Sequence, residues 1–215
     1  MRATSILLAC LLSGAVCVAG YSELHSQTFT IRANSGLFGA QDNPGSLDGQ
    51  KSELHFIAGT SGSWEFPFGK LLAIGLDLEG WWTFREYATT IPAPPLGTVD
   101  DYMMLDTKAA FIGARVAAIL GSGIRIYCAG AIGYFMSKIE ATGTLMGIPV
   151  LVKEESKASS GYQVGGGLEL GPKNWVLSLD YRYWVNRNSF PGFGAADVGL
   201  GGHILSVGLG YSIGR

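Results

Sequence analysis

Residues 175–185 read WVLSLDYRYWV. Successive side chains of a strand point to opposite faces, so Trp175, Leu177, Leu179, Tyr181, Tyr183 and Val185 share one side and Val176, Ser178, Asp180, Arg182 and Trp184 the other. One face is continuously apolar, while the other mixes a carboxylate and a guanidinium with small and aromatic residues. The segment between Leu71 and Arg85 repeats the pattern, with Leu72, Ile74, Leu76, Leu78, Trp82 and Phe84 against Ala73, Gly75, Asp77, Glu79, Trp81 and Thr83.

Period-two reading outward from these segments predicts eight strands. They run over Gln27–Asn34, Ser52–Phe66, Leu71–Arg85, Tyr102–Ile119, Ile124–Ile139, Ser159–Leu170, Trp175–Val185 and His203–Ile213. Their connections alternate in length. Long polar or Gly/Pro-rich loops are expected at Ser35–Lys51, Glu86–Asp101, Ala141–Ala158 and Asn186–Gly202, and tight turns at Pro67–Lys70, Leu120–Gly123 and Gly171–Asn174. All eight prolines fall in these connections, as expected for a residue that cannot donate to a ladder. The apolar stretch from Gly147 to Val152 is expected to fold over the mouth of the structure.

The remaining strands keep the same division. Phe29 and Ile31 oppose Thr28, Thr30 and Arg32, and Leu54, Phe56, Trp64 and Phe66 oppose Glu53, His55 and Glu65. Burying so many carboxylates inside a soluble barrel would cost several kcal/mol for each unpaired charge. Turning the apolar face out to lipid and the charged face into the lumen removes that cost. The fold expected is therefore all-β, an eight-stranded antiparallel up-and-down transmembrane barrel. Its lumen charge network would comprise Arg32, Lys108, Arg125 and Arg182 with Glu53, Asp77, Glu79, Asp106, Glu169 and Asp180. An eight-stranded barrel has room only for side chains, so these groups would plug it. Aromatic girdles are expected at Trp64, Phe66 and Trp175 toward the short turns, and at Trp82, Phe84, Tyr181 and Tyr183 toward the long loops. The fourth and fifth strands alternate less cleanly, and the fourth leaves two readings open. Either Asp106 and Lys108 face in and Arg115 faces out, or a bulge near Gly113 resets the parity.

Composition agrees with this class. Of 215 residues 32 are glycine and 15% are charged. The formal net charge of −2 gives no cationic footprint for nucleic acid. Residues 1–20 read as a cleaved signal peptide, with Arg2 before the apolar Ser5–Val18 and small Ala19 and Gly20 at its end, which leaves 21–215 as one barrel domain. Of three cysteines only Cys128 lies outside that leader. No later segment supplies a helical span, because Asp77 and Glu79 interrupt the most hydrophobic run, Leu71–Phe84.

The stretches GYQVGGGLELGPKNWVLSLDYRYW (Gly161–Trp184) and HILSVGLGYSIGR (His203–Arg215) resemble the small outer-membrane β-barrel family, which includes outer membrane protein A-like transmembrane domains and opacity-type porins. The resemblance implies a place in the bacterial outer membrane, with outer-membrane lipid and the insertion machinery as partners and an extracellular ligand reached through the long loops. Members commonly close on an aromatic residue, whereas this sequence reads Ile213-Gly214-Arg215.

No catalytic chemistry is expected. His203 and Ser206 lie three apart on one strand and so point to opposite faces, and no nucleophile motif accompanies them. His25 and His55 lack the clustered ligands of a metal site, and the glycines at 165–167 lack the spacing of a phosphate cradle. No cofactor is expected. The reading is a structural or surface-interaction protein with a narrow, charge-plugged lumen. A small-solute channel and a soluble exported barrel of the lipocalin type are its alternatives.

Overall fold

A computed structural model of the chain describes residues 27–40, 54–92, 98–121, 123–145, 148–171, 174–190 and 195–214. The expected leader, Glu53 and His25 lie outside them. The described residues form ten strands: β1 (Thr28–Ala40), β2 (Leu54–Phe68), β3 (Leu72–Pro92), β4 (Thr98–Ile119), β5 (Ile124–Leu145), β6 (Ile148–Leu170), β7 (Trp175–Val185), β8 (Arg187–Phe190), β9 (Ala195–Gly199) and β10 (Gly202–Ile213). Eight of them close an antiparallel barrel in the order β1-β10-β7-β6-β5-β4-β3-β2, and β2 returns to β1. Closure runs from Phe29↔Ile213 to Ala40↔Gly202, so the barrel leaves no free sheet edge along that seam. Among the described residues the short β8 and β9 form a separate two-stranded sheet.

Connections of only a few residues join β2 to β3, β4 to β5 and β6 to β7 at one end. Gly69 (φ 73) and Gly121 (φ 102) supply the left-handed backbone that the first two require. At the other end the strands are longer than the sequence reading expects. β1 continues through Phe38, and the expected loops Glu86–Asp101 and Ala141–Ala158 are largely strand, with Pro92 paired to Thr98 and Leu145 to Ile148. Polarity is a poor guide here, because a ladder of backbone hydrogen bonds needs no apolar face once the strands leave the barrel wall. β2 pairs with β3 only up to Thr83, and β7 joins β6 only at Tyr162. The sheet β3-β4-β5-β6 therefore stands above the rest of the barrel.

Among the described residues three prolines belong to strands rather than connections: Pro67 near the end of β2, Pro92 closing β3, and Pro149 at the start of β6 beside the register shift at Gly143/Thr144. All three sit at strand ends, where a missing donor costs least. Residues 148–152 are the paired start of β6 and do not fold over the mouth. That end is reached instead by the connection between β7 and β10. Phe190 and Leu200 are fully buried, and Arg85 Nη2 donates to the Leu200 carbonyl at 3.2 Å. Asn186 fixes the base of the connection, donating through Nδ2 to Ser159 Oγ (3.0 Å) and the Ser160 carbonyl (3.2 Å) while its own carbonyl accepts from Leu200 N–H (3.1 Å).

The register of β4 with both neighbours is unbroken through Gly113. There is no bulge, and one parity holds along the strand: Leu105, Thr107, Ala109, Phe111, Arg115 and Ala117 are all buried.

Candidate functional site: a two-layered lumen inside an apolar wall

Alternation sorts the side chains into two populations. Outside stand large apolar residues on every barrel strand, among them Phe29, Ile31, Phe56, Leu76, Leu78, Ile112, Ile126, Val164, Leu179 and Val207, each about half exposed. Inside, among the described residues, five arginines (Arg32, Arg85, Arg115, Arg125, Arg182) and five acids (Glu65, Asp77, Glu79, Glu169, Asp180) are buried. The charges balance, as burial in a low-dielectric interior requires.

Nearer the short turns the lumen is ionic. Arg115 lies at its centre, with Nε 3.0 Å from Glu65 Oε1, Nη2 2.7 Å from Glu169 Oε1 and Nη1 3.6 Å from Asp77 Oδ1. Its guanidinium stacks 3.7 Å from the ring centroid of Tyr127. Arg32 pairs with Glu169 and donates through Nε to Ser61 Oγ (3.0 Å), and Arg125 pairs with Glu65. Arg182 Nη2 donates to Glu79 Oε1 and to Tyr127 Oη, both at 3.0 Å, and the Tyr127 hydroxyl donates to Asp180. These guanidinium groups tie together strands that are not all neighbours: Arg115 of β4 holds acids from β2, β3 and β6.

Toward the long loops the lumen turns apolar. Phe38, Trp81, Phe111, Phe135 and Trp184 pack with Ile57 and Ile204. The Trp184 ring meets Phe38 at 5.6 Å and both Phe111 and Phe135 at 5.4 Å between centroids. Its indole N–H donates to Gln163 Oε1 at 3.0 Å, while Trp81 Nε1 donates to Glu79 Oε2 at 2.8 Å and joins the two layers.

Glycine makes the room these groups need. A Cβ on Gly167 would lie 2.4 Å from Asp180 Oδ1 and 3.0 Å from the Tyr127 ring, and one on Gly208 would lie 2.2 Å from Asn34 Oδ1. Gly167→Val forces the Tyr127–Asp180 bond apart and is expected to lower the urea midpoint by the equivalent of about 1–3 kcal/mol, the usual cost of overpacking. An unchanged midpoint would mean that the inner wall tolerates bulk at this point.

Of the residues that the sequence assigns to the lumen, Arg32, Asp77, Glu79, Arg125, Glu169, Asp180 and Arg182 are brought together inside. Asp106 and Lys108 are not. They share the outward parity of β4, opposite Phe84 and Trp82, with 27% and 62% of their side chains exposed. The reason is Arg115: facing inward it meets three carboxylates, whereas facing outward it would sit in the apolar wall. Its parity sends Asp106 and Lys108 out near the long-loop end, where Trp82 Nε1 donates to Asp106 Oδ1 at 2.7 Å. The sequence reading also omits Arg85, Glu65 and Tyr127. Glu65 could have been found from its parity with Glu53, and Arg85 from its parity with Asp77 and Glu79. The expected girdle residues all stand on the outward face, with Trp64, Trp82, Trp175 and Tyr181 exposed and Phe66, Phe84 and Tyr183 partly covered by their neighbours.

The sequence matches no protein-family model and no curated protein. Its structure matches that of the outer membrane protein OprG from Pseudomonas aeruginosa at a TM-score of 0.53 and 11% identity, over 88% of this chain and 97% of that one. The chain has the fold of the small outer-membrane β-barrels. Lower similarity links this barrel to Ail, the attachment invasion locus protein of Yersinia pestis (TM-score 0.48, 16% identity, 88% and 100% covered), and to the outer membrane protein W of E. coli (0.39, 11%, 89% and 100%). The barrel reverses the lipocalin arrangement, which needs its apolar face inside.

Proposed function

We propose that this chain spans the bacterial outer membrane as a closed anchor, with no through-channel, and carries its raised β3-β4-β5-β6 sheet on the cell surface for interaction with an extracellular ligand. The observation that carries the reading is the pairing of an apolar outer wall with a lumen filled twice over, first by ions and then by aromatic rings. Lipid is the environment that accepts such a wall, since water would leave large apolar side chains exposed on every strand. Trp64, Phe66 and Trp175 would then mark one headgroup level, and Trp82, Phe84, Tyr181 and Tyr183 the other.

The lipid-facing wall has a direct test. Leu179 lies outward in the middle of β7, beside Val207 and Leu168. Leu179→Arg is expected to destabilise the protein refolded into lipid vesicles by about 2–4 kcal/mol, the cost of a cation near the bilayer midplane. A change within about 0.5 kcal/mol, typical of a solvated surface, would contradict the membrane reading.

Closure is tested by recording from planar bilayers. Silence is expected from the purified refolded protein, and from an Arg182→Ala variant as well, because the aromatic layer still blocks the lumen. Reproducible conductance steps in the unaltered protein that change on Arg182→Ala would instead make it a small-solute channel, and a signal peptide and insertion by the outer-membrane machinery belong to either version.

A further inference from the structure

One row across the raised sheet is buried where an open sheet would stand in water. Arg85 of β3, Leu105 of β4, Ile139 of β5 and Glu155 of β6 follow one another in register, all with the inward parity. The row lies beyond Thr83, where β2 stops pairing with β3, and beyond Tyr162, where β7 joins β6. Leu105 and Ile139 are nevertheless covered, as is Ala141 at the next inward position of β5. Among the described residues, the connection between β7 and β10 is what reaches this face, and it is fixed at both sides of the sheet. On one side β8 lies against β6, with Asn186 donating to Ser159 Oγ and the Ser160 carbonyl. On the other, Arg85 donates to the Leu200 carbonyl, and its guanidinium lies 4.7 Å from the Phe38 ring centroid. Phe190 and Leu200 are fully buried. The inner face therefore already holds a chain segment, which offers it two large apolar side chains and one backbone carbonyl.

That segment is separate from the barrel. β8 and β9 form a sheet of their own, with a register shift between Asn188 and Phe190. Asn188 Nδ2 is buried with no hydrogen-bond partner among the described residues. An unpaired buried donor is a cost that seating the segment carries and that opening it relieves. Elements outside the main ladder also open at free energies below that of global unfolding.

We infer that the β8–β9 segment is an internal stand-in for the extracellular partner: an extended peptide that displaces it and presents a large apolar residue and a backbone carbonyl to the inner face of the raised sheet. The inference rests on the surface reading above. A peptide fits this face better than an anionic ligand, because the group that Arg85 takes from the segment is a neutral carbonyl, Leu105 and Ile139 are apolar, and Glu155 ends the row with a negative charge.

The test uses the full chain refolded into lipid vesicles, with gel mobility checking that each variant folds, and a fluorescent synthetic peptide of the sequence NRNSFPGFGAADVGLG, residues 186–201. Asn186→Ala removes the side-chain bonds that clasp the segment. Losing about one net hydrogen bond raises the open population about tenfold. Trypsin cleavage after the exposed Arg187, identified by fragment mass, follows that population and should speed up by about the same factor. The apparent Kd of the peptide should fall about tenfold as well, since only the open form accepts it. Ser159→Ala, which removes one partner of the clasp, should move both readouts the same way by less. A peptide carrying Phe190→Ser and Leu200→Ser should bind neither the unaltered protein nor the variants. Faster cleavage without tighter peptide binding, equal binding of the serine peptide, or no change in either readout for both variants overturns the inference and leaves the closed anchor intact. Trypsin that cuts the Asn186→Ala variant in permeabilised cells and not in whole cells would remove the surface reading itself, and the inference with it.

Discussion

Arg115→Met is expected to destabilise the folded barrel by about 3–5 kcal/mol, the largest loss of any single substitution in the ionic layer. The substitution keeps much of the length of the side chain and removes its charge, so Glu65, Asp77 and Glu169 lose the cation at the centre of the ionic layer. Asp77 is affected most, because its contact with Arg115 is an ion pair at 3.6 Å and neither of its oxygens has a hydrogen-bond partner. Breaking a buried pair by removing one partner costs about 3–5 kcal/mol, a large part of the stability of a domain this size. Arg125→Met provides the comparison. Arg125 forms its ion pair with Glu65, and Glu65 keeps Arg115, so the loss should be about 1–3 kcal/mol. Urea titrations of both variants refolded in the same vesicles measure the difference. Equal midpoints would mean that the ionic layer is not organised around Arg115.

Trp184→Ala is the second large effect. Trp184 is fully buried and touches four other aromatic rings of the loop-end layer, so its removal should cost about 3–5 kcal/mol, as truncation of a buried tryptophan does elsewhere. Trp184→Phe keeps most of the ring contact and loses the bond to Gln163, and should cost clearly less. Bilayers containing the alanine variant are expected to stay silent, since the ionic layer beneath is intact. A midpoint shift of less than the equivalent of about 1 kcal/mol would mean that the aromatic layer collapses around the gap or packs loosely to begin with.

Much of this architecture was legible because parity needs only local order. In β3, β7 and β10 one face is apolar almost without interruption, so strand and facing follow from the sequence alone. β4 resisted because it carries charges on both parities, and nothing local says which set turns inward. The answer depends on acids from β2, β3 and β6 that meet Arg115 only after closure. The aromatic layer was missed for a related reason. Phe38 lies beyond the point where alternation in β1 gives way to glycine and polar residues, and Phe111 and Phe135 sit in strands whose parity stayed open. Strand ends were misjudged at the long-loop side, where polar residues pair in the raised sheet as readily as apolar ones do in the wall.

The central claim is a closed barrel resident in the outer membrane, and the most direct test is the gel mobility of the protein extracted from fractionated cell envelopes, compared between unheated and boiled samples in mild detergent. The account predicts that the protein is found in the outer-membrane fraction and that boiling shifts its mobility, as unfolding of a detergent-resistant barrel should. Protein recovered free in the periplasm, with the same mobility before and after boiling, would contradict it.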